Sequence, residues 1–157
     1  MLSIEENKKN DRITKYFETN ENYKKVKGKI SLCIKEILSN WCFPVKENEI
    51  ILDSQFFILI ATTDNYGIIM NSAISLIEEI LKTNETITVH LNMKSFTLIH
   101  LEKHYSFIKN ICILLQTKFP DKLEKCFVYN APFLFTQFFS IVSKFIDRKT
   151  QKKIKLI

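Results

Sequence analysis

Glycine and proline are nearly missing from this chain, with two and three residues among 157. Gly28 and Gly67 stand alone, so neither a G-x-G-x-x-G turn nor a P-loop can be built, which excludes the usual backbone cradles for nucleotide phosphates. No cysteine pair has C-x-x-C spacing. Cys33, Cys42, Cys112 and Cys126 sit mostly in apolar runs and read as reduced core residues rather than disulfides or a zinc site. No apolar run reaches the roughly 18 residues needed to cross a bilayer. Met1 to Asn22 is polar and charged where a secretory leader would be apolar. A G-x-S-x-G nucleophile elbow is absent, and Asp53, Asp64 and Asp121 are too scattered to pair as catalytic acids. These absences lead to the expectation of a non-enzymatic protein with no cofactor. It should be cytoplasmic, soluble or peripheral to a membrane, in a reducing compartment.

What is present is globular in composition: 46% hydrophobic and 25% charged residues, enough for one domain with a real core. The net charge of +6 favours anionic partners. It is concentrated at the end, where Lys144 to Ile157 carries six basic residues and one acid. That run is either a solvated face or a contact for anionic membranes. Nucleic-acid binding is not expected, because it would need exposed aromatics interleaved with the basic residues. "HLEKH" places His100 and His104 four apart, a spacing that can share a helix face and hold a metal. It lacks a third ligand and the H-E-x-x-H base, so no metal site is expected.

Residues 1–22 are mixed in charge and rich in Asn, Lys and Glu, which predicts a polar flexible arm with at most a helical turn around Ile13 and Phe17. Val26, Ile30, Cys33, Ile34, Ile37 and Trp41 follow the helical period and predict an N-terminal helix over residues 23–40, ended by Pro44. Strands are predicted at Glu49–Leu52, at Phe56–Ala61 ("FFILIA"), at Ile87–Met93 and over "KCFVYN", with a last one from Lys153. Helices are predicted over Tyr66–Leu81, capped by Asp64 or Asn65, over Leu101–Lys118 with Tyr105 facing inward, and from Pro132 onward. Strands alternating with helices imply an α/β fold with a mostly parallel sheet.

Six phenylalanines fall between residues 127 and 145. Such a face is either core or the wall of a site. Phe133, Leu134 and Phe135 cannot all face one side of a helix, so some of them face a second surface, a pocket or a membrane patch.

With Phe119-Pro120-Asp121, Asn130-Ala131-Pro132, Phe145-Ile146-Asp147, Thr150 and Lys153-Ile154 all at unbroken spacing, the chain resembles the CRAL-TRIO lipid-binding family. In the upstream segment "VHLNMKSF", Asn92 and Ser95 stand where that family usually has Asp and Gly. The resemblance is clear from Thr86 to Ile157 and fainter back to Glu47. It implies a CRAL-TRIO-like domain over residues 41–157, with helices flanking a mostly parallel sheet and without the family's usual C-terminal gate region. It implies a lipid-binding or lipid-transfer module for a phospholipid, phosphatidylinositol among the candidates, acting at anionic membrane surfaces. The alternative is a protein-interaction scaffold on the same fold. By position, the headgroup residues are Asp121, Lys122, Thr150 and Lys153. A lysine suits a phosphate, a hydroxyl can donate to its oxygens, and a carboxylate can accept from inositol hydroxyls. The wall of the acyl pocket is assigned to Phe127, Tyr129, Phe133, Phe135, Phe138 and Phe139.

Overall fold

The computed structural model describes residues 2–27, 33–131 and 133–157. The middle of the helix expected over residues 23–40, and the helix opening assigned to Pro132, lie outside the described residues.

Residues 1–22 are not a loose arm. Helix α1 (Ile4–Thr19) starts in a capping box, in which Ser3 Oγ accepts from Glu6 N and Glu6 Oε2 from Ser3 N. It buries Asn10, Ile13 and Phe17. That three-and-four spacing makes one narrow inward stripe, and the remaining faces are polar enough to make the whole stretch read as disordered. After α2 (Glu21–Lys27), helix α3 (Ile34–Trp41) ends directly in β1 (Cys42–Pro44).

Strand β2 (Glu49–Asp53) lies close to expectation, but the next segment does not. Residues 54–60 form helix α4 (Ser54–Ile60), not a strand. Asp53 caps it, accepting at Oδ1 from Gln55 N at 3.1 Å, and Phe56, Phe57 and Ile60 are all buried. A short helix buried on several sides is apolar throughout, so its period carries no signal.

Helix α5 (Tyr66–Leu81) has its expected bounds and buries Ile69, Ala73, Ile77 and Ile80. Asn65 stands at its cap without a capping bond and instead donates to Ile60 O at 2.9 Å. Strand β3 is Ile87–Asn92. The helix expected over Leu101–Lys118 is two pieces, α6 (Leu98–Lys103) and α7 (Tyr105–Lys118), broken at His104. The break turns Tyr105 outward, to 36% exposure. Strand β4 (Leu123–Tyr129), α8 (Phe135–Val142), α9 (Arg148–Gln151) and β5 (Ile154–Leu156) complete the chain.

Among the described residues, five strands form one sheet in the order β1-β2-β3-β4-β5. β1 pairs antiparallel with β2, and β2 through β5 are parallel. Each parallel strand is therefore added beside the one before it. Crossovers of one hand running in one direction place their helices on one face. Packing agrees with this: Ile77 of α5 clusters with Ile50 and Val89, while Ile108 of α7 and Val142 of α8 cluster with Val128. The opposite face, with Ile51, Phe127 and Tyr129, is covered by Ile13 and Phe17 of α1.

Candidate functional site

Strand pleating gives each face of the sheet its own row of side chains. Ile50, Val89, Cys126 and Ile154 are register partners across four strands, and one residue along, Ile51, His90 and Phe127 point the other way. The two faces hold different chemistry.

Between the first row and helices α5, α7 and α8 lies a cavity of about 220 Å³. Its floor is that row, and its roof includes Ile77, Ile111, Cys112, Leu115, Phe138 and Val142. Trp41, Phe57 and Phe107 line it too, with their rings in a chain through Phe57 at 5.5 Å from Trp41 and 4.8 Å from Phe107. Burial pushes the Cys112 and Cys126 thiols up to about 12, the latter with a smaller contribution from Cys112. The thiols are therefore protonated and act as small apolar groups.

Apart from Ser54, whose hydroxyl donates to Asn92 O at the far end of the strands, the polar lining is Gln116, Asp121, Lys122 and Thr150, which the fold gathers at one end. α7 terminates at Lys118, and the turn through Asp121 (φ 59°) leads into β4 at Leu123. Asp147 caps α9, accepting from Thr150 N at 2.7 Å and from Gln116 Nε2 at 2.8 Å. Those bonds from Thr150, ahead of the one from Gln116, hold its carboxyl below the usual range. Asp121 pairs with Lys149 at 3.3 Å, whereas Lys122 is exposed and has no ion-pair partner among the described residues.

Of the four residues expected at a headgroup, Asp121, Lys122 and Thr150 line this end of the cavity. Lys153 does not line it. Its Nζ donates to Leu123 O at 2.6 Å, bracing the start of β4. Of the six expected acyl-wall residues, only Phe138 lines the cavity. Phe127 and Tyr129 are on the other face of the sheet, because alternation along β4 gives the cavity side to Cys126 and Val128. Phe133 is 93% exposed. Phe135 and Phe139 stack on each other with centroids 5.7 Å apart, outside the lining. The sequence reading missed Trp41, Val89 and Cys126. The period-two pattern of β4 was the available signal, since it separates Cys126 from Phe127.

The face under α1 carries a buried polar chain. Lys9 reaches Glu49 at 3.2 Å, Glu49 Oε1 lies 2.7 Å from His90 Nε2, and His90 Nδ1 lies 2.7 Å from the Tyr129 hydroxyl. That hydroxyl donates to Asn10 Oδ1 at 3.1 Å. Burial works to raise the Glu49 pKa, but hydrogen bonds and charge from His90 and Lys9 outweigh it, and the carboxyl sits below its ordinary value. Asp53 is the reverse case. Burial raises it despite donors from Gln55, Asn20 and Asn92. Asn92 suits this place, because its Nδ2 donates to Asp53 Oδ1 at 3.1 Å where a second carboxylate would repel.

His100 and His104 do not form a joint ligand pair. His104 is buried, with Nδ1 2.5 Å from the Tyr66 hydroxyl, and burial lowers its pKa, helped by Lys103 and His100. Among the described residues no cluster of three potential metal ligands occurs, and no helix is long and apolar enough to cross a membrane.

The family model of the CRAL/TRIO domain matches residues 64–157. The SEC14 cytosolic factor of Yarrowia lipolytica is 33% identical over 70 residues, which cover 45% of this chain and 14% of that protein. The Sec14 cytosolic factor of Schizosaccharomyces pombe is 29% identical over 73 residues, covering 46% of this chain and 26% of its own length. The match thus spans a minor part of these relatives. The crystal structure of Sfh5 aligns with 90% of this chain and 54% of its own at a TM-score of 0.63 and 16% identity, a likeness of fold.

Proposed function

The chain belongs to the CRAL/TRIO domain family, and on that premise we propose that it binds a phospholipid and carries it without converting it. The observation that supports this reading best is the apolar cavity with a group of four polar residues at one end, Asp121, Lys122 and Thr150 among them. Acyl carbon would lie against Val89, Cys126 and Phe138. The phosphate would meet Lys122 and Thr150, and Asp121 can accept from inositol hydroxyls, which makes phosphatidylinositol a headgroup that suits the mouth. Lys153 supports the same end from behind by holding Leu123 O. The basic run from Lys144 to Lys155 would favour brief contact with anionic membranes, at about 1 kcal/mol per well-placed lysine.

The test is mass spectrometry of lipid that co-purifies with the protein, repeated for Lys122→Ala and Thr150→Val. One equivalent of phospholipid in the wild type, reduced in both variants, is the expected result. A protein free of lipid that takes up neither lysophospholipid nor phospholipid from anionic vesicles would sink the reading. In that case Phe133, 93% exposed beside the helical roof, would favour the second reading, a scaffold that binds a protein.

A further inference from the structure

Resting on the lipid reading above, we infer that the cavity admits a single acyl chain. Its ligand is a one-chain amphiphile with an anionic head, whether the anion is a lysophospholipid's phosphate or a fatty acid's carboxylate.

Three observations carry this. The first is size. At about 220 Å³ the space is below the roughly 300–1,000 Å³ of pockets for drug-sized ligands, so it encloses part of one acyl chain, the rest of which leaves through the opening, and has no room for a second chain beside it. The second is that the cavity is bounded by direct contact between roof and floor. Ile77 packs with Ile50 and Val89 in one cluster, and Ile108 and Val142 pack with Val128 in another. Widening the space for a second chain means lifting α5, α7 or α8 off the sheet and opening close-packed apolar contacts. The third is charge. Asp121 is matched by Lys149 at 3.3 Å, so the cation without a carboxylate partner among the described lining residues is Lys122. A mouth built this way takes one anionic group.

Trp41 makes the test direct, because it is the chain's one tryptophan and it lines the cavity. The full chain is titrated with 1-palmitoyl lysophosphatidylinositol, with palmitate, and with vesicles of dipalmitoyl phosphatidylinositol. Trp41 emission is followed, and native mass spectrometry counts the bound molecules. Saturable binding of either one-chain probe at one per chain, with the diacyl lipid at least tenfold weaker, is the expected result. Which one-chain probe binds tighter identifies the anion. Lys122→Ala should weaken it about tenfold, the loss of roughly one charge-assisted contact. Cys112→Phe should block it by filling the roof; should that variant misfold, the exposed Lys122→Ala still decides. Diacyl lipid binding as tightly as the one-chain probes overturns this inference and leaves the lipid reading standing. Failure of all three probes by both readouts overturns both.

Discussion

Replacing Phe17 by alanine tests whether the first helix belongs to the fold. Phe17 is fully buried, with its ring edge-on to Tyr129 at a centroid distance of 5.1 Å and 5.6 Å from Tyr16. It shares its cluster with Ile13, Ile51 and Phe127. Truncating a buried phenylalanine to alanine costs about 3–5 kcal/mol, of which the edge-to-face pair with Tyr129 is roughly 0.5–1.5 kcal/mol. The hole opens beneath α1, a single helix laid on one face of the sheet that can settle partway into it, so a loss of about 3 kcal/mol is expected. With a urea m-value of about 1–3 kcal/mol/M, the midpoint should fall by roughly 1–3 M at unchanged m. Ile4→Ala on the same helix is the control, since Ile4 is 76% exposed and should shift stability by no more than about 0.5 kcal/mol. A Phe17→Ala loss below about 1 kcal/mol, indistinguishable from that control, would refute the docking of α1.

Glu49→Gln should flatten the acid side of the stability profile. Because the Glu49 pKa is depressed in the folded protein, its contribution is present above the ordinary carboxylate pKa of about 4.3 and disappears as pH falls through the folded value. Urea midpoints of wild type and variant should therefore differ most near neutrality and converge on acidification; a constant gap would contradict the assignment. Ser95 sits at φ 66°, the left-handed region where a Cβ costs about 1 kcal/mol, so Ser95→Gly should raise thermal stability, and an unchanged or lower Tm would oppose this. Burial pushes Cys42, Cys112 and Cys126 up to about 12, while Cys33 is exposed. An aromatic disulfide reagent at mild alkaline pH should therefore label one thiol quickly and the others only on unfolding; two fast thiols would contradict the burial.

The elements most legible from residues alone were those with one clear period and clean ends. α5 has an unbroken apolar stripe from Ile69 to Ile80, and β3 and β4 are short runs between polar turns. α4 was illegible because Phe56, Phe57 and Ile60 bury several sides of one helical turn after another, leaving no polar face to mark the period. α1 was illegible because three buried residues hold it against a sheet that the local sequence does not mention. Motif spacing singles out Asp121, Lys122 and Thr150, which line one cavity although β4 and α8 separate them along the chain. The acyl wall failed for another reason. Aromatic density marks burial, and burial under α1 produces it as readily as burial under α8, so Phe127 and Tyr129 were assigned to the wrong side of their own strand. At Ser95 the positive φ explains the glycine usual in the family, so the serine here departs from the pattern against the preference of its own backbone.

The neighbour-by-neighbour strand order has a consequence for how the protein can be made on a ribosome. Each parallel strand joins an edge that has already emerged, and none has to be threaded between two earlier ones, so the sheet can be extended as synthesis proceeds. Helix α1 is the exception. It emerges ahead of the residues that hold it, Glu49 and then Tyr129. The docking of α1 is therefore completed only when β4 is out, and until then Phe17 lacks the Phe127 and Tyr129 side chains that it packs against.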